Sequence, residues 1–196
     1  LSIPMYFVKR KGRYIDCSGS SFEHFLEGKL TQIPGEKPTL NDWEDHLSTI
    51  FTEVRLKQFI EVRGADAGNW RRTCALPAFW VGLLYDHSAL YKALELCKSW
   101  NYEMVEKLSY DVAKNGLKAV INGMSVDEVA RELVKYAREG LNKRNIIDNT
   151  GNNETHFLNV LEETLSINKT PAEQLLYDFS NKWKGNITNL IKEMSY

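Results

Sequence analysis

Apolar and polar positions follow two different rhythms along this chain, and the change falls near residue 68. Before it, apolar residues come in short runs. Residues 5–9 (M-Y-F-V-K) and 13–17 (R-Y-I-D-C) are rich in aromatic and β-branched side chains and are separated by Lys11-Gly12. That spacing predicts a β-hairpin. Residues 21–26 carry Phe22, Phe25 and Leu26 at helical spacing, ended by Gly28, and the prolines and glycine of 30–38 predict a loop. Thr39, followed three residues later by Asp42, is a helix start opening a segment to about residue 51. Residues 56–63 (L-K-Q-F-I-E-V-R) predict one further strand, stopped by Gly64. Alternation would put Lys57, Phe59, Glu61 and Arg63 on one face, with Ile60 and Val62 turned to a core.

From Asn69 onward the period is helical almost throughout. Residues 75–85 are nearly all apolar, which predicts a helix buried on most sides, with Pro77 in its first turn or at a kink. Ser125-Val126-Asp127-Glu128 is a capping box. Val126, Val129, Ala130, Leu133, Val134 and Ala137 share one face beyond it, and Gly140 is expected to close that helix. Thr170-Pro171-Ala172-Glu173 offers an N-cap, a proline at the first helical position and a glutamate at the third. Residues 145–153 are polar and predict a loop. The class is α+β: a few antiparallel strands, about 4–17 and 55–63, then a mostly helical region. Residues 69–196 are expected to pack on the sheet and short helices of 1–68; the alternative is a non-catalytic helical module for assembly or partner binding, with apolar stripes exposed at 126–137 and 157–165.

Composition narrows the picture. At 196 residues the chain fits one domain, or one and a piece. Basic and acidic residues nearly cancel, 25 against 26, so no global field points to nucleic acid or to an anionic membrane. No apolar run approaches the roughly 20 residues that span a bilayer. Leu1-Ser2-Ile3-Pro4 does not read as a translation start, so a longer parent chain is expected. Cys17, Cys74 and Cys97 lie far apart with no C-x-x-C pair, which suits a reducing cytosol better than a disulfide framework or zinc site.

Residues 41–80 carry the candidate chemistry. Many charged side chains stand there among large apolar ones, and desolvated charges are costly unless paired. A carboxylate and a guanidinium two residues apart on one strand face, as at Glu61 and Arg63, can bind a hard divalent cation such as magnesium and hold transferred phosphate oxygens. They can equally form an ordinary ion pair, and the spacing alone does not decide. Arg71-Arg72 could hold a phosphate or carboxylate, or could be a solvated helix start. His46 has no histidine at ligand spacing and is expected on a helix surface. Trp70, Phe79, Trp80 and Tyr85 are expected in a core.

Longer strings go further. The runs P-M-Y-F-V (4–8), G-R-Y-I-D (12–16), D-W-E-D-H-L-S-T-I-F (42–51), E-V-R-L-K (53–57), E-V-R-G-A-D (61–66) and W-R-R-T-C-A-L-P-A-F-W-V-G-L-L-Y-D (70–86) resemble glutamate–cysteine ligase, in the branch shared by plants and many proteobacteria. The likeness continues to T-P-A-E-Q-L-L (170–176) and covers nearly the whole chain. The resemblance implies a fold related to glutamine synthetase, with an antiparallel sheet as catalytic floor. It also implies a reaction: ATP phosphorylates the γ-carboxylate of L-glutamate, and the amine of L-cysteine attacks the acyl phosphate. Carried over, Glu61 resembles a magnesium ligand and Arg63 the catalytic group on the transferred phosphate. Asp66, Trp43, Arg71 and Arg72 lie in matching nucleotide-site motifs. Family enzymes begin well upstream of Pro4, so an N-terminal part of the same enzyme is the implied partner and would supply further carboxylates. The second cysteine that plant members place after G-K-L, able to pair with the one matching Cys17, is Gln32 here.

Overall fold

The computed structural model describes residues 1–194 and is α+β. Its strands form small antiparallel pairs. Contacts divide the chain into two units, Leu1–Ala65 and Asp66–Tyr196.

In the first unit, β1 (Phe7–Arg10) pairs with β2 (Arg13–Asp16). Lys11 and Gly12 between them both have positive φ, 49° and 74°. Such a two-residue turn matches the twist of the strands, and glycine accepts the conformation without strain. The register sets Val8 against Ile15, and this pair faces a core of Met5, Cys17, Phe22, Phe25, Leu30 and Ile33. Ser21 caps α1 (Phe22–Leu26), which delivers the two phenylalanines. Thr39 and Asp42 form a capping box at the start of α2 (Leu40–Ser48). Asp42 also receives Arg10, Nη1 to Oδ1 at 2.7 Å, tying α2 to the first hairpin. Burial works against the Asp42 carboxylate, but the bonds from Arg10 and Thr39 outweigh it and hold its pKa below the usual range.

The single strand expected over 56–63 is two. β3 (Val54–Leu56) turns at Lys57–Phe59 into β4 (Ile60–Val62), and Lys57 N donates to the Phe59 carbonyl at 2.9 Å. Lys57 and Phe59 therefore lie in a turn instead of on the face of Glu61, and Ile60 is exposed instead of core-facing. An eight-residue run read at period two cannot report a turn that lacks glycine, proline or asparagine.

The second unit is helical around α3 (Trp70–Leu84), capped by Asn69. Next come α4 (His87–Cys97) and α5 (Tyr102–Asn115). A small hairpin of β5 (Val120–Ile121) and β6 (Met124–Ser125) then leads into α6 (Val126–Arg144). After the 145–153 loop lie α7 (Asn159–Ser166), α8 (Pro171–Asn181) and α9 (Ile187–Met194). Pro77 sits mid-helix in α3, well past the first turn. This helix buries one face, Ala75, Ala78, Gly82 and Leu83, and leaves Leu76, Leu84 and the following Tyr85 exposed. Trp70 is exposed as well, while Phe79 and Trp80 pack on the core.

Gly140 does not end α6. It lies inside the helix, against Gly82 of α3: a Cβ on Gly140 would collide with the Gly82 carbonyl, and one on Gly82 with the Ala137 carbonyl. The glycines let two backbones touch, and Asn145 in the left-handed region, φ 49°, makes the stop. Val129, Val134 and Ala137 of α6, with Leu158, Val160 and Leu165, are buried, so the two apolar stripes available for an assembly partner are consumed inside the unit. Among the described residues no helix is long and apolar enough to cross a membrane.

Candidate active site

The β3–β4 hairpin has two unlike faces. Its register sets Val54 against Val62 and Leu56 against Ile60 on one side, and Arg55 against Glu61 on the other. Glu53 and Arg63 flank the Arg55–Glu61 pair, because side chains two residues apart share a face. Arg63 N donates to the Glu53 carbonyl at 2.8 Å, extending the ladder one step past the strand.

Glu61 Oε2 lies between two guanidinium groups. Arg55 Nε donates to it at 2.8 Å, and Arg63 Nη1 stands 3.8 Å away. Arg55 also donates from Nη1 to the Ser48 carbonyl at 3.1 Å, and the Arg63 guanidinium lies 5.1 Å from the centre of the Phe51 ring. The Arg55 hydrogen bond is the main reason that Glu61 titrates below the ordinary glutamate value, with the charges of Arg55, Lys57 and Arg63 adding to it. The side chain keeps 32% of its surface open. The result is an ionised carboxylate, half-buried and held from one oxygen.

Arg55 was left without a role by the sequence. A hairpin reading of E-V-R-L-K and E-V-R-G-A-D would have exposed it, because pairing the two runs antiparallel sets Arg55 directly across from Glu61.

The remaining candidates lie elsewhere. Trp43 packs edge-on to Phe22, ring centres 5.0 Å apart, as part of the first core. His46, expected on the surface, is buried and stacked on Phe22 at 4.7 Å, because α2 turns Asp42 and His46, four residues apart, toward the core. Asp66, Arg71 and Arg72 belong to the second unit. Arg71 makes a two-pronged bond to Glu163, at 2.6 and 3.0 Å, beside a cleft of about 150 Å³ lined by Trp70, Cys74, His156, Phe157 and Val160. The Arg72 side chain lies against Gly68. The structure thus joins Glu61 and Arg63, adds Arg55, and gives Trp43 a packing role.

Among the described residues no cluster of three or more His, Cys, Asp or Glu side chains could hold a metal ion. Magnesium on nucleotide phosphates needs less, one or two carboxylates with phosphate oxygens and waters. Glu61 fits the lower end of that requirement.

The model of glutamate–cysteine ligase family 2 matches residues 1–193. The chain belongs to this family. It is 49% identical over its whole length to the chloroplastic glutamate–cysteine ligase of Solanum lycopersicum, covering 36% of that protein. It is 46% identical to chloroplastic ligase A of Oryza sativa subsp. indica, covering 39%, and 46% identical to the chloroplastic ligase of Arabidopsis thaliana, covering 36%. The chain therefore spans little more than a third of these ligases. The cytosolic setting expected from the cysteines is overturned, since these relatives are chloroplastic. Unpaired cysteines argue against a disulfide framework and carry no address. All three are free, and Cys17 is sealed in the first core, where burial pushes its thiol pKa up.

Proposed function

We propose that this chain is the C-terminal part of an ATP-dependent ligase that joins the γ-carboxylate of L-glutamate to the amine of L-cysteine, with the β3–β4 hairpin as part of a glutamine synthetase-like catalytic floor. The observation that carries the reading is the Arg55–Glu61–Arg63 arrangement, formed by the two motifs that this family match covers.

Phosphoryl transfer asks a protein for positioning and charge compensation. Glu61 holds an ionised oxygen toward the nucleotide phosphates, and Arg55 fixes the carboxylate from behind. Glu61 would hold a magnesium ion, which would supply positive charge to offset that developing on the transferred group. Arg63 places its guanidinium on the equatorial oxygens of that group as the glutamate γ-carboxylate attacks. The products of this step are ADP and a γ-glutamyl phosphate. The cysteine nitrogen then adds to the acyl carbon, inorganic phosphate leaves, and the amine gives up a proton. Asp66, Arg71 and Arg72 serve the nucleotide or a substrate carboxylate in this reading; Arg71 would exchange Glu163 for its ligand. Further carboxylates and most of the glutamate and ATP pockets come from the enzyme's N-terminal part.

The test is phosphate release with ATP, glutamate and cysteine by the protein expressed from its whole gene. Glu61→Ala should lower turnover on the order of a hundredfold or more, as expected when a charge-stabilising group is lost. Unchanged turnover would remove Glu61 from the mechanism, and equal rates with other amine acceptors would remove cysteine as the specific substrate.

A further inference from the structure

Arg55 and Arg63 flank the same carboxylate but are held in different ways. Arg55 gives two hydrogen bonds, to Glu61 and to the Ser48 carbonyl. The Arg63 guanidinium gives none among the described residues: its distance to Glu61 Oε2, 3.8 Å, is that of an ion pair and too long for a hydrogen bond. What it does meet is a ring. It lies over Phe51, 5.1 Å from the ring centre, within reach of a cation–π attraction. The same ring stands edge-on to Tyr6 at 6.5 Å, and Tyr6 leads into β1. Phe51 stands apart from the first core: it is 70% exposed and lies outside the cluster around Phe22 and Phe25.

We infer that Phe51 is a positioning residue for Arg63: its ring holds the guanidinium in place and leaves the N–H donors unspent for the oxygens of the transferred phosphoryl group. The inference rests on the ligase reading for what Arg63 contacts, while the ring contact stands without it. Arginine carries five N–H donors in a planar fork. A carboxylate partner in the fork would occupy two of them and cancel the charge that phosphate oxygens need, as Glu163 does for Arg71. An aromatic face attracts the cation through its quadrupole, offers no oxygen and adds no negative charge. A long, flexible side chain is thereby kept aimed with its donors free, so less remains to be ordered when the phosphoryl group is transferred.

The test is steady-state kinetics of the protein expressed from its whole gene, read as phosphate release, with the melting midpoint of each variant measured beside it. Phe51→Leu should lower kcat about five- to tenfold, the weight of one cation–π contact partly shielded from water, and leave KM for ATP, glutamate and cysteine within about twofold. Phe51→Tyr keeps the ring and should hold kcat within about twofold of the native value. Arg63→Met should lower kcat by itself. Adding Phe51→Leu to it should then cost less than about twofold more, because residues that act as a unit are not additive. If Phe51→Leu costs as much beside Arg63→Met as in the native protein, the ring acts on something other than Arg63 and the inference is overturned. Turnover that Phe51→Tyr fails to keep, or that is lost together with a lower melting midpoint, overturns it as well, since fit or fold then explains the loss. The two readings fail separately. Full turnover in Arg63→Met removes Arg63 from the reaction and takes the ligase role assigned to it first. A slow Arg63→Met beside an unimpaired Phe51→Leu keeps that role and removes only the ring.

Discussion

The two hairpins of the first unit answer the same problem in opposite ways. In β1–β2, Val8 and Ile15 point to the core, while Lys9 and Tyr14 point out and Lys9 reaches Asp45 at 2.9 Å. In β3–β4 the apolar side is the exposed one, and the charged side is turned inward around Glu61. A short ribbon gains stability by burying its apolar face, so the first hairpin is complete within this unit. The second withholds that gain, placing charge where a structural element would place valine. Stability of the first kind belongs to the fold, whereas the cost of the second makes sense where chemistry needs the charges.

Core truncation gives the largest break in this contrast. Phe25 is fully buried, edge-on to Phe22 at 5.7 Å. Phe25→Ala should cost about 3–5 kcal/mol of stability in the 196-residue chain, the transfer loss and the cavity together. Leu56→Ala should stay within about 0.5 kcal/mol, as for an exposed position away from any packing. Urea denaturation of the two variants checks this. Comparable losses would mean that the second hairpin is packed, and the contrast would fail.

The same two elements show what the sequence could and could not tell. Lys11-Gly12 announced the first hairpin because its turn requires positive φ. The capping boxes at Thr39, Ser125 and Thr170 were legible because cap and carboxylate sit three residues apart on the chain. The turn at Lys57–Phe59 uses ordinary residues, so the run read as one strand, and the cross-strand neighbour of Glu61 stayed hidden. Asn122-Gly123 was a missed signal of the legible kind: both residues have positive φ, 48° and 81°, and form the turn between β5 and β6. Gly140 misled because close backbone approach and helix termination both favour glycine, and only the partner helix tells them apart. Glu61 and Arg63 were found by motif, and their shared face survived the error about the strand because both lie beyond the turn.

A second, smaller break uses pH. Both ring nitrogens of His46 are buried without hydrogen-bond partners, and burial lowers its pKa below 6.5. The fold therefore holds the neutral ring. Above pH 6.5 folded and unfolded chains are both neutral at this site, and its stability contribution is fully present. As pH falls through 6.5 toward the lower folded value, the unfolded chain takes up a proton that the native ring refuses, and stability is lost. The limiting slope for one proton is about 1.4 kcal/mol per pH unit. Urea midpoints from pH 8 to 5 should fall more steeply for the native chain than for His46→Leu. Parallel curves would show that the ring reaches a partner or water. The stacking of His46 on Phe22 ties this loss to the core beneath the first hairpin.

The smallest effect sharpens the other side of the comparison. Arg55 holds Glu61 Oε2 at 2.8 Å, and this bond leads the causes that lower the Glu61 pKa from 4.5. Arg55→Met should move the carboxyl titration, followed by carbon-13 NMR, up toward 4.5, with Lys57 and Arg63 still holding it down. At neutral pH Glu61 remains ionised in both proteins, so the charge offered to a cation is unchanged. What changes is aim, because the carboxylate loses the bond that fixes one oxygen. A loss of turnover in Arg55→Met without loss of the Glu61 charge would thus separate orientation from charge. If the titration does not move, Arg55 is no partner of Glu61 in solution, and the inward face of the second hairpin is as loosely held as its outward one.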